Sequence, residues 1–164
     1  MAYAKRPTAC EGCPANGHGL GFVPPTNPDG RLMTLVGQGP GEQDAWNSKA
    51  FYHLAPPGER LNKWLYHAGI SRTKISVGNV IWCWLPAYRR KGVPSGTREP
   101  TRAEMKWCWN AHTGPWLQGE EIVVPVGVPA TKWIMGLDPK KGAEKFLGTL
   151  NEVQLPPVGE NTRA

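Results

Sequence analysis

No stretch of this 164-residue chain approaches the ~18 consecutive apolar residues that a membrane-spanning helix needs. Met1–Ala15 is polar and has no apolar h-region of an export signal, so a cytoplasmic protein with no membrane partner is expected. Internal repeats are absent, which excludes solenoids and propellers. Two phosphate-binding signatures are missing as well: there is no G-x-x-x-x-G-K-[ST] and no G-x-G-x-x-G opening a helix. Cysteine is scarce, with four residues, Cys10, Cys13, Cys83 and Cys108. In a reducing compartment these read as metal ligands or free thiols ahead of disulfides. Four thiolates can complete either a tetrahedral Zn site or a [4Fe–4S] cubane.

Acidic residues are also in short supply. The net charge is +6 and the pI about 9.3, a balance that favours an anionic partner. The excess is concentrated: Arg89, Arg90, Lys91, Arg98, Arg102 and Lys106 are countered locally only by Glu99 and Glu104. A solvated loop with helix-face charges is the plain reading, and a phosphate-gripping surface is the sharper one.

The length fits one domain with a real core. Residues 1–30 are rich in Gly and Pro, which opposes helix and sheet, so this arm needs an anchor that metal-bound Cys10 and Cys13 would supply. Arg31–Val36 reads as a short buried strand closed by Gly37-Gln38-Gly39-Pro40-Gly41. An irregular stretch follows. Leu61, Trp64, Leu65 and Ala68 then lie at helical spacing, with Gly69 as C-cap. Lys74–Ile81 is a second strand and Pro86–Pro100 a loop. Thr101-Arg102-Ala103-Glu104 is a capping box that opens a helix to about Leu117. Glu121–Val126 is a third strand. Pro129 opens a helix to about Met135, stopped by Gly136. Lys145–Leu150 or Glu152–Leu155 is a candidate edge strand. Strand and helix alternate, so the expected fold is α/β: a three-layer α/β/α sandwich with a central, mostly parallel sheet and an N-terminal cysteine-anchored arm.

In such sheets ligands bind at the carboxyl ends of the strands, where the Gly37–Gly41 turn and Asn79 both fall. The glycines allow close backbone approach to a ligand, although a structural turn has the same composition. Asn79 alone reads as a strand-end turn former, and Phe51 alone as a core ring. Eight tryptophans are present, and two pairs flank cysteines: Trp82 and Trp84 around Cys83, Trp107 and Trp109 around Cys108. Neighbouring side chains point apart, so at most one ring of each pair can line a metal site. Core packing and water exclusion are the expected uses, with base stacking as the alternative.

The ordered set is more specific than its members. Cys10-x-x-Cys13, Val36-Gly-Gln-Gly-Pro-Gly-Glu-Gln-Asp44, Ala50-Phe51, Gly58-x-x-Leu61, Gly78-Asn79-Val80, Cys83 and Cys108 together resemble the iron–sulfur branch (family four and five type) of the uracil-DNA glycosylases. Order and approximate spacing agree over residues 10–136. The resemblance implies that Cys10, Cys13, Cys83 and Cys108 hold a [4Fe–4S] cluster. Phe51 would stack on an extruded uracil, Asn79 would read its edge, and Gly37 and Gly39 would line the site. The implied activity is hydrolysis of the N-glycosidic bond of uracil flipped out of DNA, in a monomeric repair protein that grips DNA through Arg89, Arg90, Lys91, Arg98 and Arg102.

Two positions depart from that pattern. Gln38 stands where the resembled family carries a loop Glu, which leaves Gln38, Glu42 and Asp44 as the candidate catalytic set. No His-Pro-Ser follows Gly136, so the C-terminal part of the family fold is expected to be missing. Nor does the Arg89-Arg90-Lys91 loop carry the histidine with which another branch traps uracil covalently. His53, near Phe51, is the histidine best placed to face a pocket, whereas His18, His67 and His112 read as arm or helix-surface residues. A catalytically impaired homologue that binds DNA through the basic loop is the alternative function, and a Zn-stabilised α/β binding protein is a further one.

Overall fold

The computed structural model describes residues 3–27, 32–88, 94–138, 142–143, 151 and 154–159. Three parallel strands form the sheet: β1 (Met33–Gly37), β2 (Ile75–Asn79) and β5 (Val123–Pro125), in the order β2-β1-β5. The expected α/β fold with a parallel sheet is what the chain adopts. β1 and β2 are almost wholly buried, as strands covered on both faces must be. Leu35 points with Ile75 and Val77 toward α2 (Pro56–His67), which contributes Leu61 and Leu65. Val36 points the other way, into a core with Met105, Trp109, Leu117 and Ile134. Those residues come from α3 (Arg102–Cys108), α4 (Gly114–Leu117), α5 (Val128–Ile134) and the turn between α3 and α4.

Several boundaries follow local chemistry. Gly69 closes α2 with φ +67, and Gly136 follows α5 with φ +61, both in the left-handed region that glycine enters without strain. The capping box forms: the Thr101 N–H donates to Glu104 (2.7 Å) and the Glu104 N–H to the Thr101 hydroxyl (3.3 Å). The helix it opens is not uniform. It passes through a π-helical turn at Trp109–Thr113 before continuing as α4. This turn carries Thr113, whose hydroxyl donates to the Val80 carbonyl (2.9 Å), and Trp109, whose indole N–H donates to the Pro156 carbonyl (3.1 Å).

Two expectations need correction. The irregular stretch after β1 contains a short helix, α1 (Glu42–Asn47), capped by Asp44 rather than signalled by apolar period. Pro86–Pro100 is not simply loop, because β3 (Pro86–Tyr88) and β4 (Pro94–Thr97) pair antiparallel within it. Backbone hydrogen bonds hold the arm as well. Leu20 and Trp84 exchange backbone hydrogen bonds (2.8 and 2.9 Å), Val23 donates to Trp82 (2.7 Å), and Thr26 pairs with Val77 (2.9 and 3.3 Å). Val23 and Ala15 are buried. Gly and Pro prevent the arm from forming a strand of its own, but they do not prevent single bridges to a neighbour. Lys145–Leu150 lies outside the described residues, as do residues 152 and 153 of the other candidate edge strand.

One carboxylate ties three of these pieces together. Glu104 on α3 accepts two bonds from Arg98 beside the β3–β4 hairpin (2.9 and 2.6 Å) and one from His18 of the arm (3.1 Å). Its side chain is 3% exposed. Burial works to raise its pKa. Arg98, Thr101 and His18 outweigh that and bring it to about 2, below the ordinary 4.5. A depressed pKa of this kind adds stability above the ordinary value that disappears as pH falls through the folded one. Glu104→Gln should therefore lower stability at pH 7 by about 3 kcal/mol. It should also flatten the loss of stability between pH 4.5 and 2, as read by thermal unfolding followed by circular dichroism at stepped pH.

Candidate active site

The register of the central strands makes the site. β1 and β2 pair with Gly37 opposite Asn79, so the glycine turn and the asparagine leave the sheet side by side. Only glycine fits at 37. A Cβ there would lie 2.5 Å from Asn79 Oδ1 and 2.8 Å from the Phe51 ring. Sequence positions 37, 51 and 79 therefore meet at one point. The Asn79 side chain is 2% exposed, and its Nδ2 has no hydrogen-bond partner among the described residues. An unpaired buried amide donor costs about 1–3 kcal/mol, which marks it as a group awaiting an acceptor. Its backbone is held firmly: the Asn79 carbonyl accepts from the Trp82 indole (2.9 Å).

Phe51 sits at φ 49, a conformation costly for a residue with a Cβ. Two charged groups impose it. The Arg72 guanidinium donates to the carbonyls of Phe51 (2.5 Å) and Ala50 (3.2 Å) and to Asn62 Oδ1 (2.7 Å). From the other side, Asp44 Oδ1 accepts from the Tyr52 N–H (2.6 Å) while Oδ2 accepts from the Gly41 N–H (2.9 Å). Burial raises the Asp44 pKa, opposed by those two N–H groups and by Arg72. Asp44, expected among the catalytic carboxylates, thus has both oxygens on backbone and links the glycine turn to the Phe51 loop. Arg72 was not foreseen, because a cation at the end of a loop gives no signal until its carbonyl partners are near. Glu42 is exposed in the first turn of α1, Gln38 is half-buried and Gly39 exposed. His53 is exposed against Tyr52.

The four cysteines converge. Cys10, Cys13, Cys83 and Cys108, all free thiols, line one small cavity of about 20 Å³ with Trp82 and His112. Of the tryptophan pairs, Trp82 and Trp107 line this cavity, while Trp84 and Trp109 are in the core. Backbone N–H groups of Ala15 and Trp82 point at the sulfurs of Cys13 (3.4 Å) and Cys108 (3.3 Å). Gly19 leaves the room that Cys83 takes, since a Cβ would lie 2.8 Å from its sulfur. Burial pushes the Cys83 thiol up to about 12, helped by the charge of Cys13 and Cys10 and opposed by Arg6. The Cys108 thiol rises for the same reasons. Among the described residues, no three His, Cys, Asp or Glu side chains group closely enough to hold a single metal ion.

His112, read from the sequence as a surface residue, belongs here. Its Nε2 lies 3.3 Å from Cys10 Sγ, its ring stacks on Trp82 (5.0 Å, 21°), and burial lowers its pKa. The Cys108-x-x-x-His112 spacing was the available signal, and the π-turn is what aims it. Arg98 is not free for DNA either, because Glu104 occupies both of its terminal nitrogens. Arg102 is exposed, and Arg89, Arg90 and Lys91 lie outside the described residues.

With Gly37, Phe51 and Asn79 clustered at the strand ends, the comparison with known families is decisive. The family model for the uracil DNA glycosylase superfamily matches residues 23–158. The chain belongs to that superfamily. Among the described residues, no helix is long and apolar enough to cross a membrane.

Two substitutions test the clamp. Gly37→Ala should destabilise the fold by about 1–3 kcal/mol through overpacking. Arg72→Gln should free the Phe51 loop, seen as faster amide exchange at Tyr52 with the sheet amides unchanged. Equal exchange in wild type and variant would refute the clamp.

Proposed function

We propose that this superfamily member removes uracil from DNA by hydrolysing its N-glycosidic bond, with Asn79 as the reader of the base. The observation that carries this is the buried, unpartnered Asn79 amide beside Gly37. Its Nδ2 can donate to uracil O4 while Oδ1 accepts from N3–H, a pairing that cytosine cannot satisfy. The Phe51 ring would cover one face of the base, held ready by Arg72 and Asp44. Water adds to the sugar C1′, the bond to N1 breaks with its electron pair leaving on the uracil, and the proton shed by the added water passes to solvent or to the departing uracil anion. Backbone N–H groups of the glycine turn are suited to the charge developing on the base. Gln38 can orient the water through its amide oxygen, but it cannot take the water's proton or balance an oxocarbenium charge.

The same reading gives the cysteine cavity a structural [4Fe–4S] cluster held by Cys10, Cys13, Cys83 and Cys108. The fit rests on the donor set and its spacing. Zn–S bonds of about 2.3 Å would draw tetrahedral sulfurs to roughly 3.8 Å apart, whereas a cubane spreads its ligands more widely. Four thiol sulfurs around one cavity are a donor set that such a group can take. N–H donors to two sulfurs and the half-buried Trp82 are the surroundings that tune such a centre. Anaerobically purified protein should absorb near ~400 nm and carry about four irons, while colourless protein with one zinc would refute this assignment.

Gln38 favours a second reading, a homologue that binds uracil-containing DNA and cuts it slowly or not at all. A single series separates the two. Uracil should be released from an oligonucleotide, thymine and cytosine should not, and Asn79→Ala should lower excision about 10- to 100-fold, the worth of one bidentate base contact. Gln38→Glu should raise the rate. Tight, Asn79-dependent binding without release would establish the second reading, and indifference to Asn79→Ala would overturn both.

A further inference from the structure

A broad cleft lies on the other face of the sheet from Phe51. It has a volume of about 480 Å³ and runs from Gln38 to α5, between α3 and the tail residue Pro156. The topology explains why it is there. β1 sits between β2 and β5, and its connection runs through α2 on one face, whereas β5 continues into α5 on the opposite face. The two chains part at this point and leave a crevice at the carboxyl ends of β1 and β5, the switch point at which open α/β sheets take ligands. Its size lies within the range of small-molecule sites.

The lining has two characters. Met105, Pro129 and Trp133 make an apolar wall, while Arg102 and Lys132 stand over it with Glu99 at one end. A flat apolar body carrying one negative group matches this arrangement better than a uniformly apolar or polyanionic ligand. Gln38 lines the crevice and directly follows Gly37, the residue against Phe51 and Asn79. One residue therefore separates the two places. That proximity would let a DNA strand with a base beside Asn79 lay its adjoining nucleotide along Gln38.

We propose that this crevice is a second nucleotide subsite, which takes the nucleotide adjoining the everted one, with its base on the Met105–Trp133 wall and its phosphate toward Arg102. It rests on the reading of Asn79 as the base-reading residue, but its test does not use excision. The probe is a uracil-free, single-stranded oligonucleotide carrying one 2-aminopurine, followed by anisotropy for binding and by 2-aminopurine emission for stacking. Val128→Trp fills the crevice from a rim position that is 40% exposed, so the core is left intact.

Wild type should bind the oligonucleotide and quench the probe. Val128→Trp should weaken binding about 5- to 10-fold and restore emission, the scale of one lost base-stacking contact. Arg102→Ala should weaken binding to all sequences and reduce the salt slope by about 1. Unchanged binding and emission in Val128→Trp would overturn the subsite. So would a response to Arg102→Ala alone, because Arg102 would then be an ordinary surface phosphate contact. Binding of free mononucleotide with no binding of the oligonucleotide would overturn it too. Because Asn79→Ala leaves this crevice untouched, failure of the base-reading assignment would appear in the excision series and not here.

Discussion

The parallel pairing of β1 with β2, with Gly37 directly across from Asn79, is the constraint from which the rest of the site follows. A shift of one residue would reverse every side chain on the strand and carry Asn79 to the other face. Pairing in this register also explains the glycine. The asparagine amide and a phenyl ring already occupy the volume that a Cβ would need. The cluster of Gly37, Phe51 and Asn79 is thus a property of strand alignment first and of loop composition second.

Around that alignment the molecule uses polar groups as clamps. Asp44 and Arg72 hold the Phe51 loop from opposite sides, and each surrenders solvation to do so, as the raised Asp44 pKa and the lowered Arg72 pKa indicate. Glu104 plays a similar part on the opposite face of the sheet, joining arm, hairpin and helix through a carboxylate that water scarcely reaches. Backbone bridges from the arm to Val77, Trp82 and Trp84 help to bring Cys10 and Cys13 up to Cys83 and Cys108.

Much of this was legible in the residues. The capping box at Thr101, the glycine stops at Gly69 and Gly136, and the strand–helix alternation each act over a few residues, where local propensity decides. Helix α1 was not legible, because it is six residues long and is held by a side-chain cap instead of an apolar stripe. The β3–β4 hairpin was hidden by its prolines and glycines. His112 and Arg72 escaped notice because their partners, Cys10 and the carbonyls of Ala50 and Phe51, are remote in the chain. Arg98 looked available for phosphate until Glu104 was seen to occupy it.

The sequence by itself determined the class of fold, the superfamily motifs and which residue types were available for chemistry, because periodicity, capping and motif order are written locally. Only the tertiary structure decided which of those residues are free to act. Asp44 and Arg98 are committed to internal partners, Asn79 is left with an unmet donor, and four distant cysteines share one cavity. These outcomes depend on long-range distances and on burial, which set the cost of leaving a polar group unpaired and which no local pattern records.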